Sequence, residues 1–406
     1  MRHGHFSDRV PPHAMPLILG LESSCDETGA ALVEGGSLVR SNVVWTQHKL
    51  HERYRGVVPE IASRAHLERI LPVIHEALDR DGSSLADLDA LAVGNRPGLI
   101  GSLIVGVSAA KALAWSLQLP LIGIDHVQAH LHAPLLREQP QGSGIRDLGS
   151  GGNSQSQEVR GKKSEVSSDR RQSAPAPIPD PRSLYPALGL VVSGGHSSLY
   201  RLDGPLQLTL LGRTIDDAVG EAYDKAAVIL DVPYPGGPNL DKLASQPDAD
   251  PSRFDLPRSM LGPDSLDFSF SGLKTALLYA VRGHPVKRGD GASFQRSVAD
   301  LSPEDRRDLA AAFQHAAIDA LFLKIERALD AQPHVQCVLM GGGVSANSLL
   351  RRRAAEFAQR RGIPVLIPPL AYCLDNAAMV AGLAHHRLTA DDSDDLALPA
   401  IATTGS

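Results

Sequence analysis

Apolar residues recur along the chain with two different spacings, and the alternation between them predicts an α/β protein. The stretch LILGLESSCDETGAALVEGGSLVRSNVV has three short apolar runs separated by polar turns, which predicts three strands. In VVPEIASRAHLERILPVIHEALDRDG the apolar residues follow helical spacing up to a glycine, so a helix is predicted there. The next segment, LDALAVGNRPGLIGSLIVGVSAAKALAWSLQLPLIGIDH, predicts a strand, a helix of small residues and another strand.

A similar order of elements returns in the second half of the chain. PALGLVVSGGHSSLYRLDG predicts two strands joined by a glycine-rich turn, and IDDAVGEAYDKAAVILDV predicts a helix that carries Asp217, Glu221, Asp224 and Lys225 on its polar side. VQCVLMGGGVSANSLLRRRAAEFAQRRG predicts a strand, a glycine triplet and a helix. Two such blocks indicate two related α/β lobes around a cleft, and nucleotides bind such folds where the strands end.

The two blocks are separated by a segment of different composition. It is rich in Ser, Gly, Pro and charge and almost free of apolar residues, which predicts a disordered insertion; an interaction arm is the alternative. Met15 directly precedes the first strand, so either it or Met1 could be the true start. The predicted division is an N-terminal tail (1–14), a first lobe (15–137) completed by a C-terminal helix around 370–390, the insertion (138–183), a second lobe (184–369) and a C-terminal tail (391–406).

Composition narrows the class of protein. The 406 residues are 43% hydrophobic, enough for substantial cores, and a net charge of −6 argues against wholesale non-specific binding of nucleic acid. The three cysteines form no CxxC, so neither a disulfide framework nor a thiolate zinc site is expected. With no apolar run of about 18 residues and no signal peptide, we expect no membrane helix and a cytoplasmic location.

Two glycine-rich turns follow apolar strands. In VVSGGHSS, Gly194 and Gly195 could aim backbone N–H groups at an anion, with Ser193 as a further donor; a tight hairpin is the alternative. In MGGGVSANSLLR, three glycines could let a flat ligand lie against the backbone, with Asn347 bonding a ribose or phosphate. A plain turn between strand and helix rarely needs three glycines, so ligand binding is favoured there.

Carboxylates lie near further turns. In YPGGPNLD, Gly237 could pack on a sugar whose hydroxyls donate to Asp241, and Asp224 could do the same; a rigid turn and a solvated helix face are the alternatives. In SSCDETG, Asp26 and Glu27 could act on phosphates through magnesium or water, or form an Asx-type turn.

The stretch GIDHVQAHLHA carries the strongest chemical signal. His126 and His130 are four residues apart, so on a helix their imidazoles share one face and could bind a metal or form a polar face. In the HExxH motif of metalloproteases a glutamate follows the first histidine, but here Val127 does. Asp375, in CLDNAAM, is the candidate third ligand. Two imidazoles and a carboxylate suit Fe(II) or Zn(II) with open coordination positions.

Together these segments resemble the tRNA N6-adenosine threonylcarbamoyltransferase family, once labelled O-sialoglycoprotein endopeptidases. The resemblance runs from about residue 17 to 385. Its ordered motifs are LGLESSCDETGAAL, VVPEIASRAH, DHVQAHLHAPLL, VSGGHSSL, DDAVGEAYDKAA, YPGGP, FSFSGLKTA, GGGVSAN and DNAAM.

The resemblance implies a two-lobed fold like those of actin, heat-shock chaperones and sugar kinases. It implies transfer of a threonylcarbamoyl group from threonylcarbamoyl-AMP to N6 of adenosine 37, in tRNAs that read codons beginning with adenine. His126, His130 and Asp375 would hold one divalent metal per chain, commonly Fe(II) and sometimes Zn(II). The adenylate would be held by Val191, Val192, Ser193, Gly194, Gly195, Asp224, Gly237, Asp241 and Asn347.

The implied partners are tRNA, an inactive paralogue of the same fold and a small P-loop ATPase, while a separate synthase supplies the adenylate. Asp26, Glu27 or a nearby histidine could accept the N6 proton. The chain departs from the family at Arg96, where glycine is usual, at Leu374 and at His132, which could compete as a ligand although it lies off the face of the pair.

Three alternatives to this function stay open from the residues alone. They are an ATP-dependent small-molecule kinase of the same fold, a metalloprotease and a non-enzymatic scaffold. For tRNA docking, the basic helix LLRRRAAEFAQRRG and the RGKK of the insertion are candidates, and either could instead be a solvated face.

Overall fold

The chain folds around two β-sheets, each flanked by helices. This computed structural model describes residues 15–54, 56–138, 181–258, 261–262, 264–288 and 291–403. The predicted N-terminal tail and nearly all of the predicted insertion lie outside the described residues.

The first sheet has the strand order β5-β4-β1-β2-β3-β6, with β1, β4 and β5 parallel and β2 antiparallel to its neighbours. Its strands are β1 (Leu17–Glu22), β2 (Glu27–Glu34), β3 (Leu38–Thr46), β4 (Ala90–Arg96), β5 (Leu121–Asp125) and β6 (Arg137–Glu138). The three strands predicted from the first apolar runs are therefore confirmed.

The second sheet repeats the pattern in the order β13-β12-β7-β8-β9, with β7, β12 and β13 parallel and β8 antiparallel to its neighbours. Its strands, and the separate hairpin of β10 and β11, are β7 (Ala187–Val192), β8 (Ser197–Gly204), β9 (Gln207–Arg213), β10 (Val286–Arg288), β11 (Gly291–Ser293), β12 (Cys337–Gly341) and β13 (Val365–Leu366). Five strands of the first sheet thus have counterparts in the second, which agrees with the two related blocks predicted from the sequence.

The α-helices of the described residues range from one turn to 29 residues. They are α1 (His48–His51), α2 (Pro59–Asp81), α3 (Ile100–Leu117), α4 (His126–His132), α5 (Val219–Ile229), α6 (Gly236–Ala244), α7 (Ser271–Arg282), α8 (Pro303–Ala331), α9 (Ser348–Arg361) and α10 (Ala377–Thr389). Local signals explain several boundaries: α2 has proline in its first turn and ends at Gly82 in the left-handed conformation, and Ser302 caps α8.

Helix α4 lies between the two sheets. Its Ala129 packs into the core under the first sheet, while Val127 and Leu131 pack against β7 and β12 of the second. The helix begins directly after β5, where the Asp125 carboxylate accepts hydrogen bonds from the N–H groups of Val127 and Gln128. The orientation of its side chains is therefore determined by both sheets.

The C-terminal helix α10 belongs to the first sheet. Every residue from Ala377 to Ala384 is buried, and the helix packs across β1, β2 and β4. The segment 391–403, predicted as a tail, also lies along this sheet: Leu398 is buried in its core, and the Ile401 N–H donates to the Asn95 carbonyl.

Helix α3 is the one helix of the described residues that is long and apolar enough to cross a membrane, judged by length and composition only. Core helices of soluble proteins meet the same test, and α3 packs against β4 and α2. Its 18 residues include Lys111 and three serines, so it is not the continuous apolar run that the sequence analysis looked for.

Candidate metal centre and substrate cleft

Helix α4 presents two buried imidazoles one turn apart. The ring centroids of His126 and His130 are 4.6 Å apart, and the ring planes are nearly perpendicular. Their shared face is the one that the i, i+4 spacing predicts. The position at which a zinc protease of the HExxH type has its glutamate base is occupied by Val127, which is buried in the core.

Asp375 reaches the same point from the loop before α10. Its Oδ1 lies 3.4 Å from Nε2 of His126 and 3.2 Å from Nε2 of His130. One ligand atom from each of these three residues lies within 4.8 Å of the other two. Nδ1 of the fully buried His130 has no hydrogen-bond partner among the described residues, and its Nε2 meets the Asp375 carboxylate without the geometry of a hydrogen bond. Buried polar atoms normally have partners, so this donor set fits a metal ion.

The three side chains are also coupled electrostatically. Burial alone would raise the pKa of Asp375, but the charge of His126 and the polar contacts with both histidines hold it well below its usual value. Burial would lower the pKa of His126, yet Asp375 and Glu22 together raise it well above normal. Burial and the neighbouring His126 lower the pKa of His130. The carboxylate is therefore ionised and ready to bind a cation.

Glu22, at the end of β1, is a contact of this centre that the sequence analysis missed. Its side chain is completely buried, and Oε2 lies 3.0 Å from Nδ1 of His126. Burial raises the pKa of Glu22, but His126 outweighs this and lowers it overall. In the sequence the residue stands in an apolar run, LILGLESS, and a charged residue inside such a run is the signal that could have identified it.

A second polar group lies where the turn after β1 enters β2, beside α1. Asp26 and Glu27 are buried, and Oε1 of Glu27 lies 3.4 Å from Nε2 of His48 in α1. Burial raises the pKa of Glu27 to about 8, with the His48 contact lowering it and the charge of Asp26 adding to the rise. The pKa of His48 is raised by its bond to Glu27. The group thus contains a carboxyl group that changes charge near neutral pH.

Both groups open into one cleft of about 630 Å³. The loops after β1, β4 and β5 form one wall, and residues after β7 and β12 together with α5 and α6 form the other. Among the predicted site residues, its lining includes Asp26, Glu27, His126, Ser193, Gly194, Gly195, Asp224, Gly237, Asp241, Asn347 and Asp375. Val191 and Val192 are not part of this lining, because they are buried within β7, and neither is His130, which is fully buried behind His126 and Asp375.

The glycines of the cleft divide into two kinds. Gly194, Gly195 and Gly237 line it, and a Cβ added at any of them would meet nothing within 4 Å. At Gly341 and Gly342 an added Cβ would overlap the backbone carbonyls of His130 and Val192. Those two glycines allow close packing inside the protein, and only Gly343 of the triplet lines the cleft. The interpretation of all three as a ligand platform is therefore wrong for the first two.

The polar side chains of the second wall have internal partners. Asp241 accepts from both the backbone N–H and the hydroxyl of Ser348, at 3.0 and 2.7 Å. The Asn347 side chain caps α9 and donates to Gln314. Asp224 accepts from the Gly237 N–H at 3.1 Å, and burial raises its pKa. These bonds hold the side chains in place at the cleft.

Other predicted features lie elsewhere. Asp217 precedes α5 and contacts Lys225 and Lys274, rather than lying on the helix. Nε2–H of His132 donates to the Gly36 carbonyl oxygen at 2.8 Å, in the turn between β2 and β3, and His132 is not part of the metal group. His196, not singled out from the sequence, lines the cleft, and burial with the charge of His126 lowers its pKa to about 4.

Three of the five arginines of the basic helix α9 pair with acidic side chains. Arg353 pairs with Asp319, and Arg360 pairs with Glu326 of α8. Arg361 contacts Glu326 and Asp330 as well. These pairs favour a solvated, ion-paired face over an RNA-docking surface, and the RGKK sequence lies outside the described residues.

The fold class follows from solved structures. The chain is a two-lobed α/β protein of the actin, heat-shock-chaperone and sugar-kinase type. A HypF structure in its phosphate- and nucleotide-bound form matches 92% of the chain and 46% of its own length, with a TM-score of 0.52 and 11% identity. The HypF of T. kodakarensis matches 92% of the chain and 48% of its own length, with a TM-score of 0.51 and 15% identity.

Sequence comparisons define the family. The family model described as tRNA N6-adenosine threonylcarbamoyltransferase matches residues 38–181 and 174–382. Proteins of that name from Trichlorobacter lovleyi and Sorangium cellulosum are 44% and 43% identical, the first over 95% of this chain and 96% of its own length, the second over 94% of both. The chain belongs to the tRNA N6-adenosine threonylcarbamoyltransferase family. It is a transferase, and no comparison supports the kinase alternative.

Proposed function

We propose that the protein transfers the threonylcarbamoyl group of threonylcarbamoyl-AMP to N6 of adenosine 37, in tRNAs that read codons beginning with adenine. The observation that carries this proposal is the group of His126, His130 and Asp375, of which His126 and Asp375 line a cleft between the two sheets. Transfer of a threonylcarbamoyl group needs a site that holds its donor, and a metal beside the donor would act as a Lewis acid; this cleft offers a surface for each.

His126, His130 and Asp375 would hold one divalent metal, Fe(II) in the first place, with Zn(II) as the alternative. Two imidazoles and one carboxylate suit either ion and leave coordination positions for a substrate oxygen. When bound, the metal supplies positive charge beside the group being transferred. The protein contributes the ligand geometry, which α4 and the loop before α10 determine together.

The second wall would hold the adenylate. Ser193, Gly194 and Gly195 follow β7, where open backbone can accept a phosphate, and Val191 and Val192 support that turn from within the sheet. Asp224, Gly237, Asp241 and Asn347 lie on the same wall and present oxygens and open backbone to a ribose. This matches the chemistry of a nucleotide more closely than that of an extended peptide.

The proton released from N6 requires an acceptor. Glu27, with Asp26 beside it, lines the same cleft as His126, and its raised pKa of about 8 suits proton transfer near neutral pH. N6 is a weak nucleophile because its lone pair is delocalised into the adenine ring. The orientation of the two substrates therefore contributes much of the rate, and a buried acceptor supplies a further part.

The proposed function also implies partners for this protein. Besides tRNA, they are an inactive paralogue of the same fold, a small P-loop ATPase and a synthase that supplies the adenylate, all in the cytoplasm and without a membrane. Leu67 and Leu71 of α2 and Ile104 and Trp115 of α3 are half-exposed or more on two helices that pack side by side. A paralogue would present equivalent helices, so the two apolar faces can cover each other.

Transfer of labelled threonine to tRNA tests the function. The protein is combined with the synthase, paralogue and ATPase of the same organism, with wild type and His126→Ala in parallel. Label at the nucleoside 3′ of the anticodon that is lost in the variant supports the proposal. An unlabelled tRNA in a mixture that makes the adenylate contradicts it.

Leu71→Glu should abolish the complex with the paralogue in gel filtration while leaving the metal content unchanged.

A further inference from the structure

The buried carboxylate of Glu22 lies directly behind the candidate metal centre. Glu22 is the last residue of β1, and its side chain is completely buried. We propose that Glu22 is a positioning residue: it accepts a hydrogen bond from Nδ1–H of His126 and so directs Nε2 of that ring at the metal. This inference rests on the proposed metal site.

The contacts of Glu22 fix its carboxylate at both oxygens. Oε2 lies 3.0 Å from Nδ1 of His126, and Oε1 accepts from the backbone N–H of Ser24 at 2.6 Å. The backbone bond holds the carboxylate in one orientation because Ser24 follows β1 in the same turn. One oxygen therefore stays directed at the imidazole.

The neighbouring strand leaves room for this arrangement. Gly94 of β4 lies beside the carboxylate, and a Cβ added there would come within 2.8 Å of Oε2 of Glu22. Any larger residue at this position would displace the oxygen that contacts His126. The absence of a side chain at Gly94 is thus a requirement of the Glu22–His126 contact.

The contact determines which ring nitrogen carries the hydrogen. An ionised carboxylate can only accept, so Nδ1 of His126 must be the donor, and in the neutral ring Nε2 then carries the lone pair. Nε2 is the atom that lies 3.4 Å from Asp375. A carboxylate behind a metal-binding histidine also makes the ring a stronger ligand, and its loss typically weakens metal affinity by about 10- to 100-fold.

Ser24 is the competing partner of the same ring nitrogen. Its hydroxyl lies 3.2 Å from Nδ1 of His126 and can either donate or accept. If the serine donated, the hydrogen of the ring would move to Nε2, and that nitrogen could not bind a metal. The closer, charged Glu22 favours the opposite arrangement, with Ser24 as a secondary acceptor.

The two histidines of the centre are therefore unequal. His126 has a buried carboxylate behind it, whereas Nδ1 of His130 has no hydrogen-bond partner among the described residues. His126 should be the more rigidly held of the two ligands. Loss of Glu22 should consequently disturb the geometry of the metal site as well as its affinity.

The test compares Glu22→Gln, Gly94→Ala and Ser24→Ala with the wild-type full-length protein. The amide keeps the shape of the side chain and removes the charge, while the Gly94 variant displaces the native carboxylate by steric contact. Asp308→Asn is the control, because Asp308 is another buried carboxylate, bonded to Arg253 and Arg307 in the second lobe. Each protein is titrated with Co(II) and Zn(II), and the visible spectrum of the Co(II) form reports ligand geometry.

We expect Glu22→Gln and Gly94→Ala to weaken metal binding by about 10- to 100-fold and to change the Co(II) spectrum, with Ser24→Ala and Asp308→Asn close to wild type. Wild-type affinity and spectrum in either Glu22→Gln or Gly94→Ala would overturn the role of Glu22, and so would a larger effect of Ser24→Ala. A wild-type protein that binds no metal at all would instead contradict the proposed metal site. The thermal unfolding temperature of each metal-free protein separates these effects from a general loss of folding.

Discussion

Oδ1 of Asp375 lies 3.2 Å from Nε2 of His130, although the two residues belong to distant parts of the chain. His130 is on a helix packed between both sheets, and Asp375 is on the loop that enters the last helix of the first lobe. The candidate metal centre therefore joins two elements from distant parts of the chain, and it depends on their correct assembly.

Removal of any one ligand should remove the metal. We expect His126→Ala, His130→Ala and Asp375→Ala to lower metal occupancy and threonylcarbamoyl transfer together, by about 100-fold or more in affinity, since even a residue behind a ligand costs 10- to 100-fold. Metal content by mass spectrometry and transfer of labelled threonine are the measurements. His132→Gln is the control, because it retains a donor for the Gly36 carbonyl away from the centre. Loss of metal with transfer intact would show that the ion is not needed.

The rate should depend on the protonation of Glu27. If Glu27 accepts the N6 proton, kcat rises with pH up to about 8, where burial has placed its pKa, and levels off above that value. Glu27→Gln should lower kcat by about 100-fold or more and abolish this limb of the profile. Glu60→Gln, at an exposed position in the first turn of α2, is the matched control. An unchanged profile in Glu27→Gln would assign the proton to another group.

The free energy of unfolding should decrease with rising pH because of Glu27. The pKa of Glu27 is higher in the folded protein, about 8, than its ordinary value of 4.5, so the folded state holds the proton more tightly. Relative to Glu27→Gln, the wild type should be favoured most below about pH 4.5 and should lose that advantage as the pH rises through 8. Urea unfolding of both metal-free proteins from pH 4.5 to 9 measures the difference, and a pH-independent difference would contradict it.

Asp241 should affect binding of the adenylate more than folding. We expect Asp241→Asn to raise KM for threonylcarbamoyl-AMP with little change in metal content, because the carboxylate lines the cleft. Ser348→Ala removes the same internal contact from the other side and serves as the control. If both variants raise KM equally, Asp241 acts only by holding α9 in place.

Two glycine substitutions should separate binding from packing. Gly195→Ala points a methyl group into the open cleft and should weaken adenylate binding without lowering stability. Gly341→Ala would press on the carbonyl of His130 and should lower the free energy of unfolding by about 1–3 kcal/mol. Urea unfolding and adenylate titration of the two variants give the comparison, and equal unfolding energies would contradict it.

Much of this architecture is readable from the sequence. The spacing of apolar residues predicts the strands and helices of both sheets, because each element buries one face or is buried throughout. The i, i+4 spacing of His126 and His130 predicts that the two share a helix face. Asp375 is predicted because two imidazoles need a third ligand, commonly a carboxylate, to bind a metal. Features of the chain that are fixed by distant neighbours are harder to predict. Gly341 looks like part of a ligand loop until the carbonyl of His130 is seen beside it.

The contacts of Glu22 and of the arginines in α9 could not be predicted from the sequence either. The partner of Glu22 lies on α4, far along the chain, so its position in an apolar strand gave no sign of which group it meets. The arginines of α9 suggest an RNA surface in sequence, but acids of α8 lie within ion-pair distance of several of them. Both are consequences of packing between elements.

The burial of α10 across the first sheet has a consequence for the order of events during synthesis. Strands β1 and β2 emerge early from the ribosome, but the helix that covers one of their faces is made after every other helix and strand of the described residues. Until then, that face has no cover from its own chain, and Asp375 has not yet been added. A nascent chain that does not yet include Asp375 and α10 therefore lacks both the cover of the first core and one of the three candidate metal ligands.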